Sequence, residues 1–159
     1  MNEKTTGRLD TILKSAKLKD FDKYVNQELR EELPTLSDYL KEYITQKGLN
    51  TSAVIRDSLL SANYAYAILN GHKANPDRDR IIALCLSMHM TLVEVQRALK
   101  LCNAGVLYAK NKRDAIIIIC FNSGVYNIMQ LNTFLADNGL KILQTSRDAA
   151  YSDNASEKQ

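Results

Sequence analysis

The chain has 159 residues, 45% of them hydrophobic and 25% charged, which fits one domain, or one small domain with an appendage, around a proper core. Six glycines and two prolines argue against a loop-rich or disordered chain. The net charge of +3 excludes a polybasic arm, and its excess is centred on residues 36–101, which carry eight basic and six acidic side chains against seven and seven in residues 1–35 and six and five in residues 102–159.

In chain order, "GRLDTILKSA" places Leu9, Ile12, Leu13 and Ala16 at helical spacing. "DFDKYVNQELREEL" does the same with Phe21, Val25 and Leu29 until Pro34 stops it. These form a helical extension over residues 1–35. "MNEKTTGRLD" lacks the apolar segment of a signal peptide, so a cytoplasmic protein is expected.

"LSDYLKEYITQKGL" sets Leu36, Leu40, Tyr43 and Ile44 on one face, with Gly48 just past the end, where a left-handed residue closes a helix. Asn50 then caps "TSAVIRDS", which buries Val54 and Ile55. "LL" makes a turn, Ser61 caps "ANYAYAIL", and Ala65 and Ile68 face inward with Gly71 following. Asp77 is expected to cap "RDRIIALCLSMH". Thr91 and Glu94 form a capping box opening "TLVEVQRALKL", with Leu92, Val95 and Leu99 as its inner stripe.

The C-terminal part echoes this last pair. "RDRIIALCLSMHMTLVEVQRALKLCNAG" begins at Arg78, and "RDAIIIICFNSGVYNIMQLNTFLADNGL" begins at Arg113, 35 residues on, with a one-residue slip in the second half. Four consecutive isoleucines favour a strand by propensity, but the matching segment reads as helix, so residues 112–122 are expected to form a buried helix. Residues 102–144 thus make a helical hairpin packed on the preceding domain, either completing the core, the preferred reading, or offering a dimer surface. Residues 145–159 read as a flexible tail.

The longest apolar run, residues 115–121, is too short to cross a bilayer, and no membrane partner is expected. Cys85, Cys102 and Cys120 share no tight spacing and neither His72 nor His89 joins them in a ligand pattern. They read as small apolar core residues, with no metal, cofactor or disulfide implied. Arg78–Asp79 and Arg113–Asp114 open two helices, where the acids suit the helix dipole and each Arg pairs with a neighbouring carboxylate or carbonyl. His72 reads as an exposed loop residue and His89 as a helix-end residue. No nucleophile–base pair, phosphate loop or paired carboxylates stands out, so an enzyme is not expected.

Residues 50–71 run cap, short helix, apolar turn residue, cap, short helix, glycine. This order resembles the Cro/lambda-repressor-like helix-turn-helix family, also called the xenobiotic-response-element family. Asn50 takes the first capping position, Val54 and Ile55 the usual Leu-Ala pair, Leu60 the apolar turn position and Ser61 the second cap. Ala65 and Ile68 take the inner positions, and "NGHKANP" matches the Gly-x-x-x-x-Pro ending. The resemblance covers residues 36–101 and implies an all-α, five-helix DNA-binding domain, a bacterial-type transcriptional regulator acting on double-stranded DNA, and homodimers on inverted half-sites about one helical turn apart.

Carried over by position, the DNA-facing residues are Ala62, Asn63, Tyr66 and Ala67, with Thr51, Ser52 and Ser61 beside them and Lys73 and Asn75 as phosphate contacts. An amide at Asn63 suits adenine, and Ala62 and Ala67 suit thymine methyls. "ANYAYA" is uncharged where the family often carries Arg, Lys or Gln. Two alternatives follow: Tyr64 and Tyr66 pack against neighbouring helices, which is the preferred reading of Tyr66, or the neutral face serves an unidentified protein partner, as in an antitoxin-like protein.

Overall fold

The computed structural model describes residues 6–29 and 34–145. These fall into two compact units, which divide between Leu33 and Pro34. All regular structure among the described residues is helical.

The first unit holds α1 (Thr6–Ser15), a single 3₁₀ turn (Leu18–Asp20) and α2 (Phe21–Glu28). Both helices match the spacing in the sequence, yet neither has a buried residue, and Leu13, Leu18 and Phe21 are exposed. Helix α2 ends at Glu28; the expected extension over residues 30–33 and most of the expected tail, residues 146–159, lie outside the described residues.

The second unit holds α3 (Leu36–Lys47), α4 (Thr51–Ser58), α5 (Ala62–Leu69), α6 (Arg78–Ser87), α7 (Leu92–Leu101), α8 (Lys112–Ser123) and α9 (Ile128–Asp137). Helix α3 packs on α5 and α7, α4 packs on α6, and α6–α7 and α8–α9 form two successive hairpins. The central helix is α6: Ile81, Ile82, Ala83, Leu84, Cys85 and Leu86 are all fully buried. A helix apolar on every side belongs in the middle of a bundle, and the elements on either side of it are amphipathic. All three cysteines are free and buried.

Local signals in the sequence account for most helix ends. Thr35, Asn50, Ser61, Thr91, Asn111 and Asn127 each accept the third backbone N–H of the following helix, and Thr91–Glu94 closes a full capping box. Asp77 departs from expectation. It precedes α6 but makes no capping bond; its carboxylate pairs instead with Arg80 one turn in, and its backbone N–H donates to the Tyr64 hydroxyl. A charged partner within reach outcompetes the neutral backbone amide.

The two hairpins repeat each other down to single hydrogen bonds. Arg78 forks onto Asp114 (2.9 and 2.7 Å) and donates to the carbonyls of Gly105 and Val106. Arg113 forks onto Asp79 (3.0 and 2.9 Å) and donates to the carbonyls of Lys141 and Ile142. Asp114 accepts the N–H of Tyr108, and Asp79 accepts the N–H of Gln144. Each arginine therefore grips the segment that ends its own hairpin, and each aspartate belongs to the other hairpin's network. A head-to-tail stack would leave one Arg and one Asp unmatched at its ends, whereas reciprocal exchange is what an approximate two-fold relation produces. Gln96 and Asn132, 36 residues apart, repeat the pattern by accepting the N–H of Leu107 and of Leu143.

The isoleucine run is helical, as its echo implied, but not buried all round: Ile117 is fully buried, Ile116 and Ile118 partly, and Ile119 is exposed. The expected buried helix is thus a helix with one open side. Helix α6 is enclosed because α4 lies over it, and within the second unit no helix packs on α8 as α4 packs on α6.

Candidate nucleic-acid interface

Helices α4 and α5 are eight residues each. Far too short to persist alone in water, they exist because tertiary packing holds them. Val54 and Ile55 on α4, and Ala65, Ile68 and Leu69 on α5, enter the core. The turn between them is built by three residues. Ser58, fully buried, donates to the Ile55 carbonyl (2.6 Å) and accepts the Leu60 N–H (3.2 Å). Leu59 sits at φ +60°, a left-handed conformation that is unusual for leucine, and its side chain is exposed, whereas Leu60 plugs into the core.

From the other side, Ser37 on α3 donates to the Leu69 carbonyl at 2.6 Å, tying off the last turn of α5. Gly71 follows at φ +77°, and the N–H of Lys73 bonds back to the Ala67 carbonyl (3.0 Å), so the chain wraps round the end of α5.

The residues singled out in the sequence come together at the surface. Ser52, Ser61, Ala62, Asn63, Tyr66, Lys73 and Asn75 are exposed, and Thr51 and Ala67 are half-buried. Ala62, Asn63, Tyr66 and Ala67 stand three and four residues apart and share one face of α5, opposite the buried Ala65, Ile68 and Leu69. Tyr66, expected to pack, is instead 43% exposed. Its partner in the pattern, Tyr64, is the one that packs: it is half-buried against the core, and its hydroxyl accepts the Asp77 N–H at 3.1 Å.

Tyr64 does more than fill space. The Lys73 ammonium and the Arg80 guanidinium each lie 4.6 Å from its ring centre. A cation over an aromatic face is attracted by the ring quadrupole, by about 0.5–1 kcal/mol at an exposed site. The tyrosine therefore pins the 70–77 loop to α5 and holds two cations beside it. Sequence reasoning missed this cluster, because residues 64, 73 and 80 lie on three different elements and obey no local period. The only available hint was an aromatic next to a cap with cations after the glycine.

The electrostatics around α5 are nearly balanced. Arg56 on α4 is well exposed but bonds to its neighbour Asp57 (3.1 Å), and Arg80 is paired with Asp77. Lys73 is the remaining cation of the 70–77 loop. His72 is exposed, and His89, at φ +56° just past α6, stacks on Tyr126 with ring centres 4.3 Å apart.

The strongly shifted titrations lie away from this face. Burial first, then the Glu94 carboxylate, pushes the Tyr43 hydroxyl up to about 12, and the same two causes raise Tyr39 further. Burial raises the thiols of Cys85, Cys102 and Cys120, leaving them protonated and inert at neutral pH. For Asp114, burial works against the charge, but the Arg78 fork and the Tyr108 N–H outweigh it and hold the carboxyl below its usual range. Among the described residues, no group of three or more His, Cys, Asp or Glu is placed to hold a metal ion, and no helix is long and apolar enough to cross a membrane.

The chain matches no protein-family model, no curated protein and no solved structure.

Proposed function

We propose that α3–α7 form a DNA-reading domain of the Cro/lambda-repressor-like type and that the protein is a sequence-specific transcriptional regulator. The observation that carries this reading is α5 itself. It is a short, capped helix locked from behind by α3, with a stripe of small and amide side chains at its exposed N-terminal half and no other helix of the second unit packed over that stripe. Such a helix has the size and prominence to enter a major groove while α4 lies across the backbone. In that placement Asn63 pairs with adenine at two atoms, Ala62 and Ala67 meet thymine methyls, and Thr51, Ser52 and Ser61 approach the phosphates. Lys73 and Asn75 serve the backbone from the loop that Tyr64 fixes in place.

The near-neutral surroundings of α5 imply few phosphate contacts, hence weak binding to non-specific DNA and a shallow salt dependence, with a logarithmic slope of about −0.9 for each phosphate neutralised. Selection from a random DNA pool, followed by titration of the best fragment at two salt concentrations, tests the reading. Enrichment of an inverted repeat whose affinity falls with salt supports it. Asn63→Ala should then relax base preference, and Lys73→Ala should weaken all sequences alike.

One observation favours a second reading. Tyr66 is exposed on an uncharged face, and aromatic, charge-poor surfaces suit protein partners. A pool that yields no enriched sequence, together with a protein complex insensitive to salt, would replace the DNA reading with an interaction module.

A further inference from the structure

The repeat shows what this fold places on a hairpin of its own kind. In the first hairpin the groove between α6 and α7 is filled: α3 packs on α7, α4 packs on α6, and Ile81, Leu84 and Ala98 are fully buried beneath them. Two tyrosines one turn apart anchor α3 in this seat. The Tyr39 hydroxyl donates to the Glu94 carbonyl (3.2 Å), and the Arg97 guanidinium lies over its ring at 5.4 Å. Tyr43 is buried beside the Glu94 carboxylate.

Cys85, Glu94, Arg97 and Ala98 correspond to Cys120, Gln130, Thr133 and Phe134. All four of these line an open groove of about 450 Å³ between α8 and α9. No helix of the second unit packs on α8 and α9 as α3 and α4 pack on α6 and α7. Leu84 is 0% exposed and its counterpart Ile119 is 62%; Ala98 is 0% exposed and Phe134 is 56%. Away from this face the hairpins agree, since Val93 and its counterpart Met129 are both exposed. The open groove is thus the seat that α3 fills in the first copy.

We propose that the α8–α9 groove receives an amphipathic helix of another protein, anchored by large apolar side chains one turn apart and basic in its first turn.

Two observations select this occupant. The first is the molecule's own solution to the same groove, a helix whose anchors stand at i and i+4. The second is charge. Tyr39 reaches Arg97, whereas Tyr43, one turn later, meets the Glu94 carboxylate, which is itself turned back to the Thr91 N–H at the start of α7. Helix α3 therefore runs antiparallel to α7. A helix seated in the same sense on α9 begins beside Asp137, the one charged residue among the described ones that line the groove. A carboxylate facing the start of a helix is favoured by the helix dipole, and a basic residue in that turn adds an ion pair. The proposal does not rest on the DNA reading, and its test contains no DNA.

The probe is a fluorescein-labelled peptide with the sequence of residues 35–48 carrying Asp38→Lys, titrated with the full chain and followed by fluorescence anisotropy. The wild type should bind it in the micromolar range. Phe134→Asp and Ile119→Asp should each weaken binding at least tenfold with unchanged helical circular dichroism, because both side chains are already exposed. Val93→Asp should bind like the wild type. A peptide that also carries Tyr39→Ala and Tyr43→Ala should bind at least tenfold more weakly. Asp137→Lys in the protein should cost about threefold at low salt, the size of an exposed ion pair. If one aspartate variant fails to fold, the other carries the test. The proposal is overturned by a wild type that does not bind the peptide, by equal binding of the peptide without its tyrosines, or by an affinity that Asp137→Lys leaves unchanged. Folded aspartate variants that bind normally overturn it too, since the peptide would then sit elsewhere. So does a wild type that self-associates through Phe134 in sedimentation velocity, which would give the groove to a second copy.

Discussion

Hairpins α6–α7 and α8–α9 share a helix order, a reciprocal ion-pair network and a left-handed joint, yet one lies in the core and the other at its edge. Similar backbone geometry is supported by different side-chain economies. In the first hairpin, burial under α3 and α4 demands small and fitted residues such as Ala83 and Ala98. In the second, the same positions hold the larger Ile118, only partly buried, and Phe134, which is exposed. What the hairpins keep in common is therefore what defines the joint between them: the two Arg–Asp forks and the segments they grip.

Breaking a fork should have the largest effect. Asp114 is the most buried carboxylate of the two forks, and Asp114→Ala strands the Arg78 guanidinium and the Tyr108 N–H. Removing one partner of a buried pair is expected to lower stability by about 3–5 kcal/mol in urea denaturation. The same group sets an acid limit. Its carboxyl is held below the ordinary value, so the stability it supplies is fully present above about pH 4 and is lost as pH falls through the depressed value. An acid unfolding curve that is unchanged in Asp114→Asn would refute this.

Matched truncations should separate the hairpins next. Leu84→Ala opens a cavity in the core and should lower stability by about 2–4 kcal/mol. Its counterpart Ile119→Ala should change the monomer's stability by less than about 0.5 kcal/mol. Equal losses at both positions would mean that the second hairpin is also covered.

The cover on the first hairpin can be tested with alkali. Tyr39 donates to the Glu94 carbonyl, and Tyr43 lies against the same turn of α7, whereas Gln130, the counterpart of Glu94, is exposed. Because the Tyr43 hydroxyl is raised to about 12 in the folded state, its contribution is present below the ordinary tyrosine value of about 10 and is lost as pH rises through 12. Tyrosinate absorbance should show Tyr39 and Tyr43 titrating last, and replacing each with Phe should remove that late phase.

The smallest effect concerns the joints after α6 and α8. His89 occupies the left-handed position in the first and Gly124 in the second, at φ +56° and +73°. Gly124→Ala should lower stability by about 1 kcal/mol. His89→Gly relieves comparable strain but loses the stack on Tyr126, worth about 0.5–1.5 kcal/mol, so the two should nearly cancel in thermal denaturation.

Much of this fold was legible locally. Caps at Asn50, Ser61 and Thr91, the exit at Gly48 and the inner stripes all report on backbone within one turn, and they appear where the spacing put them. The echo at 35 residues resolved the isoleucine run as helix against its strand propensity. It did not disclose the orientation of the copies, because a two-fold pair and a head-to-tail stack have the same spacing in sequence. Nor did it disclose which copy would be covered. Asp77 misled for a similar reason: a capping residue is recognised from its neighbours in sequence, while its carboxylate answered to Arg80. Of the candidate interface, the exposed stripe on α5 was legible and the clamp by Tyr64 was not, because that clamp is assembled across three elements.

The crossed forks also bear on how the protein is made. Arg78 leaves the ribosome 36 residues before Asp114, and Asp79 leaves 65 residues before the Gln144 amide that completes its shell. At about 5–20 residues per second, the first hairpin waits roughly 2–13 s with its charges unmatched. Each fork draws its carboxylate from the other hairpin, so the Arg78 fork needs only α8, whereas the shell of Asp79 is complete only when the segment after α9 arrives.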